Sequence, residues 1–200
     1  MLNINGSGQV IHEKVKLRIH PHLEAGSLQV THGIIVHQTN SPTASATLNG
    51  YKKPDANGAH FLIDKDGTIY QTASVYMKTR HVGYLKSRCV AQHTCSPTEL
   101  RALKGKGLGR QTGAIEARKR WPARYPSNDD SIGIEIVGEA LPKTVPEKDR
   151  IYESITKEQQ ASLRWLVQEL AFTLKVHMTE VFRHPAVSWK NQSEASTAKW

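Results

Sequence analysis

The segment QVTHGIIVH, residues 29 to 37, constrains this chain most, because its run Gly33-Ile34-Ile35-Val36 is continuously apolar and reads as a buried strand. A second strand is expected over Ser131 to Val137, SIGIEIV, which is dense in β-branched residues. Between them, AHFLIDKDGTIYQTA places Phe61, Ile63 and Tyr70 around Asp66-Gly67, the pattern of a hairpin with a two-residue turn. Asn40-Ser41-Pro42-Thr43 stops the first strand and starts a short helix over residues 44 to 51. Residues 141 to 149 carry two prolines and read as a loop. Beyond it, Thr156 and Gln159 form a capping box, and Leu163, Leu166, Val167, Leu170 and Leu174 give the helix they open one apolar stripe. A last strand-like piece, Glu180 to Arg183, leads into a polar tail that starts at His184.

Strands and helices interleave, so the expected fold class is α/β: a single domain with a central mixed β-sheet flanked by helices. Two hundred residues bury enough surface for one such core. Residues 1–28 are expected as an N-terminal extension and 29–200 as the domain, with the weakly patterned stretch 86–130 a basic, partly helical insertion within it.

The net charge of +9 favours a polyanionic partner, such as nucleic acid, anionic lipid or a bacterial envelope. Ten of the basic residues lie between Lys86 and Arg124, facing few acids. No base-stacking aromatic pattern accompanies them, so nucleic acid is not the expected partner. Cys89 and Cys95 are close enough for a small-loop disulfide, with two free thiols the alternative. No stretch approaches the roughly 20 apolar residues of a membrane span. The N-terminus lacks a basic segment followed by an apolar run, so synthesis in the cytoplasm without a cleaved signal is expected.

Ten histidines invite the question of which lie at strand ends, where side chains converge. His37 ends the most apolar strand, His184 ends the last one, and Glu194 follows ten residues later. Two neutral imidazoles and a carboxylate are what a catalytic zinc takes, with a fourth position left for water. The ordered string IIVHQT, AHFLIDKDGTIYQ, RHVG, SIGIEIVG, a helix, then a histidine with an acid ten residues on resembles the type-2 zinc-dependent N-acetylmuramoyl-L-alanine amidases. These share a fold with peptidoglycan recognition proteins, and the resemblance covers roughly residues 30–195.

The resemblance implies Zn2+ held by His37, His184 and Glu194, with Glu in place of the usual Asp or Cys. It implies Glu135 as the general base, a carboxylate that interrupts an apolar strand whose neighbours Ile134 and Ile136 point to the opposite face. It also implies a groove lined by Asn40, His60 and His81, with a hydrogen-bonded core histidine the alternative for His60. Two positions depart from the pattern: Ala59 stands where one branch has a tyrosine, and Gln192 where the family has a lysine two residues before the third ligand. Lys190, four before it, is expected to reach in and hold the oxyanion.

The activity implied is hydrolysis of the amide between N-acetylmuramic acid and the L-alanine of the stem peptide. A lytic enzyme is expected, acting on peptidoglycan in the periplasm of a target or host cell. It would be a secreted antibacterial effector of the type VI kind, with a cognate immunity protein as partner, or a phage endolysin. A monomer is expected. A cytoplasmic cell-wall recycling amidase and a non-catalytic peptidoglycan-binding module are the alternatives, and Glu194 argues against the second.

Overall fold

The computed structural model describes residues 1–200. The strands are β1 (Asn3–Ile4), β2 (Val10–Ile11), β3 (Val15–Leu17), β4 (Glu24–Ser27), β5 (Gly33–Gln38), β6 (Phe61–Ile63), β7 (Ile69–Gln71), β8 (Met77–Thr79), β9 (Ser131–Ile136), β10 (Ala140–Leu141), β11 (Ile151–Tyr152) and β12 (Val181–Arg183). The helices are α1 (Ala44–Gly50), α2 (Arg88–Ala91), α3 (Pro97–Leu103), α4 (Arg110–Glu116), α5 (Lys157–Leu174) and α6 (His184–Val187). No helix is long and apolar enough to cross a membrane.

Six strands form the central sheet in the order β12-β5-β9-β6-β7-β3. The pairings from β12 through β6 are parallel, β6 and β7 are antiparallel, and β7 and β3 are parallel. The sheet is therefore mixed, as the interleaved pattern implies. Strand β3 lies in the segment 1–28 and supplies one edge of this sheet, with Val15 level with Ile69.

Side-chain alternation sorts the two faces. Ile34 and Val36 of β5, Ile132, Ile134 and Ile136 of β9, and Phe61 and Ile63 of β6 point to one side. There they meet Leu163, Leu166, Val167 and Leu170 of α5, none of which is exposed. Each such fully buried aliphatic contributes about 1.5–3 kcal/mol relative to exposure. The helix starts as its sequence dictates, with the Thr156 hydroxyl accepting from Gln159 N and the Gln159 side chain accepting from Thr156 N. Lys175 ends it in the left-handed region.

The other face of β5 and β9 carries Ile35, His37, Ser131, Gly133 and Glu135. A smaller core of Ile35, Val82, Leu85, Tyr125 and Val187 covers one end of it. The other end is open, and His37 and Glu135 are level there on adjacent strands.

The hairpin between β6 and β7 is longer than a two-residue turn. Asp64 N donates to Thr68 O and Gly67 N to Asp64 O, leaving Lys65, Asp66 and Gly67 as the loop. Gly67 has φ +83, and a Cβ there would stand 2.9 Å from Glu158 O, so a three-residue loop with glycine in the left-handed position fits this corner.

The stretch 86–130 folds into α2, α3 and α4, tied to the rest of the domain through Arg88 and the buried Tyr125 and braced within itself by further ion pairs. Arg88 forks onto Glu180 at 2.9 and 2.6 Å, and Arg124 meets Asp130. Lys119 bridges Glu99 and the fully buried Glu116. Lys86 Nζ donates to Pro185 O. Cys89 and Cys95 are joined in a disulfide that closes the turn after α2. Of the ten basic residues between 86 and 124, six remain exposed: Arg101, Lys104, Lys106, Arg110, Arg118 and Arg120.

Candidate active site

His37 lies next to the end of β5, and β5 runs parallel to β12, so the residue that follows β12, His184, arrives beside it. The two rings sit 4.2 Å apart, centroid to centroid. Glu194 comes from the C-terminal loop, which the Gln38 side chain holds: Ala195 N donates to Gln38 Oε1 at 3.1 Å, and Gln38 Nε2 donates to Glu153 O. Glu194 Oε1 then lies 3.0 Å from His184 Nδ1 and 3.6 Å from His37 Nδ1. One ligand atom from each residue lies within 4.8 Å of the others, and all three residues are buried.

The donor chemistry fits a zinc ion. Burial, with His184 close by, pushes the His37 imidazole down to about 4, so it is a neutral donor at neutral pH. Burial alone would raise the Glu194 carboxyl, but the hydrogen bond from His184 and the nearness of His37 outweigh it and bring it to about 2. His184 Nε2 and Glu135 Oε2 are buried with no protein partner, which is costly unless something else occupies the site.

A cavity of about 250 Å³ opens over this cluster. It is lined by the three residues above and by Asn40, Arg80, His81, Glu135, Tyr152 and Lys190, among others. Burial and the charge of Glu194 raise Glu135 to about 8, opposed by Lys190. Lys190 lines the cavity, whereas Gln192 does not. Asn40 sits at the rim at φ 54, its Oδ1 accepting from Ala140 N and Lys143 Nζ.

Two of the expected groove histidines behave otherwise than in the groove reading. His60 is fully buried and does not line the cavity. Its Nδ1 accepts from Gly133 N at 3.0 Å and its Nε2 donates to Met77 O at 2.8 Å. It shares a face with Glu135 but lies one step further along the sheet, beneath β8, so both nitrogens are spent on the fold. His81 reaches the cavity wall, yet its Nδ1 lies 3.0 Å from His37 Nε2 and its Nε2 3.3 Å from Ser131 Oγ. Its polar atoms are turned to the protein.

Sequence reasoning missed Tyr152. It follows a proline-containing loop, and only the pairing of β10 with β11 carries it to the cavity. Ser193 Oγ, one residue before Glu194, accepts from Tyr152 N and ties that strand to the Glu194 loop. Nothing in the local pattern signals either contact.

A model of the N-acetylmuramoyl-L-alanine amidase family matches residues 27–199. No curated protein matches the chain in sequence. Among solved structures, a selenomethionine derivative of AmpD is similar at 16% identity, covering 96% of this chain and 90% of that one with a TM-score of 0.54. PlyL is similar at 14% identity over 93% of this chain and 87% of that one, TM-score 0.52. AmpDh3 from Pseudomonas aeruginosa, in complex with an anhydromuramic pentapeptide, is similar at 16% identity over 94% of this chain and 58% of that one, TM-score 0.52. At these identities the likeness is one of fold.

Proposed function

The chain belongs to the N-acetylmuramoyl-L-alanine amidase family, and on that premise we propose that it is a zinc-dependent lytic enzyme cutting peptidoglycan between N-acetylmuramic acid and L-alanine. The observation that carries the reading is the cluster of His37, His184 and Glu194 with Glu135 beside it in one cavity. Zinc, when bound by those three residues, supplies Lewis acidity and a more acidic water at neutral pH.

The remaining work falls to the chain. Glu135, unpaired at Oε2, accepts the proton of the attacking water and returns one to the departing amide nitrogen, for which a carboxyl poised near neutral pH is suited. Lys190 offers its ammonium to the oxygen that gains charge as the carbonyl is attacked. Asn40 and Arg80 at the cavity wall hold the substrate's polar groups. A lytic role outside the cytoplasm is favoured by the Cys89–Cys95 disulfide, which persists in oxidising compartments, and by the six exposed basic residues, which suit an anionic cell wall.

Incubation with defined muropeptides, followed by mass spectrometry, tests this. Free stem peptide with an L-alanine N-terminus is expected with zinc and not after chelation. Glu135→Ala is expected to retain zinc and lose on the order of 10²–10⁴ in rate. Zinc-independent cleavage, or near-normal turnover by Glu135→Ala, would overturn the assignment.

A further inference from the structure

The hydrogen bonds beneath His37 run in one direction only. A backbone carbonyl can accept and never donate, and Ser127 O accepts from the Ser131 hydroxyl. That hydroxyl has one proton, and it lies between the two oxygens. Toward His81 Nε2, 3.3 Å away, Ser131 Oγ can therefore only accept, so the proton of that contact belongs to His81 Nε2. A neutral imidazole protonated at Nε2 has a bare Nδ1. His81 Nδ1 in turn faces His37 Nε2 at 3.0 Å and accepts the proton that His37 carries there. His37 Nδ1 is left as a lone pair, turned toward Glu194 and His184.

Of the two imidazole nitrogens facing Glu194 Oε1, that of His184 is the nearer at 3.0 Å and that of His37 the farther at 3.6 Å. Room for the relay is made at Gly133, where a Cβ would stand 2.7 Å from His81 Nδ1 and 2.8 Å from its Cγ. Asn128 fixes the backbone of His81 from the other side, its Oδ1 accepting from both His81 N and Val82 N.

We propose that Ser131 and His81 are positioning residues that fix the tautomer of His37, presenting its Nδ1 lone pair to a metal ion before the ion arrives. This rests on the reading of His37 as a metal ligand. The relay sets ring orientation and proton placement, the two properties by which outer partners tune a histidine ligand. His184 is held otherwise, its Nδ1 bonded to Glu194 and its Nε2 buried without a partner. The two histidines are thus oriented by different partners, His37 from beneath by His81 and His184 by a carboxylate of the site itself.

The test uses the whole, metal-free, 15N-labelled protein at pH 8. Long-range 1H–15N spectra are expected to show His37 and His81 protonated at Nε2 and His184 at Nδ1. His37 protonated at Nδ1 in the wild type would overturn the proposal without any variant. His81→Leu removes the acceptor for His37 and is expected to mix its tautomers and weaken zinc binding, measured against a competing chelator, by about 10–100-fold. His81→Asn, whose side-chain oxygen can accept in place of Nδ1, is expected to restore both within a few-fold. Should His81→Leu fail to fold, Ser131→Ala serves, with a mixed His81 tautomer expected. Wild-type tautomers and zinc affinity in these variants would sink the relay. A wild type with the expected tautomers that binds no zinc would instead sink the metal reading and leave the relay standing.

Discussion

Acidification should distinguish the core histidine from a groove histidine. Burial pushes His60 from its usual 6.5 down to about 4, opposed only in part by its bond to Met77 O. Protonation would also place a proton on Nδ1, which faces the donor Gly133 N–H. Above pH 6.5 both the folded and unfolded forms carry a neutral ring, and His60 contributes no pH dependence. Between pH 6.5 and 4 the unfolded chain takes up a proton that the folded one refuses, so stability falls as pH falls. At about 1.4 kcal/mol per pH unit the loss amounts to about 3 kcal/mol, after which it levels off. That is a large share of the 5–15 kcal/mol typical of a domain. The assay is denaturant unfolding of metal-free protein from pH 7.5 to 4, compared with His60→Gln, whose amide can accept from Gly133 and donate to Met77 but does not titrate. Other buried histidines contribute equally to both proteins and cancel. The wild type should lose about 3 kcal/mol more than the variant across the window. Equal slopes, or a His60 resonance titrating near pH 6.5, would refute the argument and return the ring to solvent.

Three further outcomes are expected. Glu194→Ala should bind zinc far more weakly, and full occupancy by metal analysis would remove Glu194 from the site. Tyr152→Phe, which leaves the β11 backbone intact, should retain zinc and fold but lower turnover of muropeptides on the order of tenfold or more, as for a lost hydrogen bond to a charged group; unchanged kinetics would assign the ring to packing alone. Replacing Lys104, Lys106 and Arg110 by Ser should weaken binding to intact sacculi in low salt and hardly alter cleavage of a small muropeptide, since exposed charges act only over a screening length of about 8–10 Å; equal loss on both substrates would refute a surface anchor.

The elements that carry their own pattern were legible in the sequence. Strand β5 opens on a continuous apolar run and β9 is dense in isoleucine because the sheet's centre is buried, and α5 shows its stripe and capping box. Strand β3 is three residues long and earns its place by pairing with β7, a contact no local pattern announces. The helices of residues 86–130 escape for a related reason: Arg88 of α2 is held by Glu180, an acid far along the chain that no local pattern announces. At the site, His37, His184, Glu194, Glu135 and Lys190 stand out as polar residues at strand ends or within motifs, and the structure gathers them at one cavity. His60 left two uses open, groove or core, because its motif position says nothing of β8 passing over it. Ser131 and Tyr152 carry no signal at all, since a serine opening a strand and a tyrosine ending one have ordinary uses.

The level placement of His37 and Glu135 has a consequence of its own. Neighbouring strands stand about 4.8 Å apart, a spacing set by backbone hydrogen bonds and indifferent to the side chains they carry. An imidazole and a carboxylate on one rung of such a ladder are therefore spaced by the peptide repeat itself. Slipping β9 by one residue would not loosen this geometry gradually; it would turn the carboxylate into the apolar layer beneath α5 and present an isoleucine to the cavity. The surrounding loops can drift, and substitutions there can alter which polymer is held, while the distance between these two groups stays a property of the sheet.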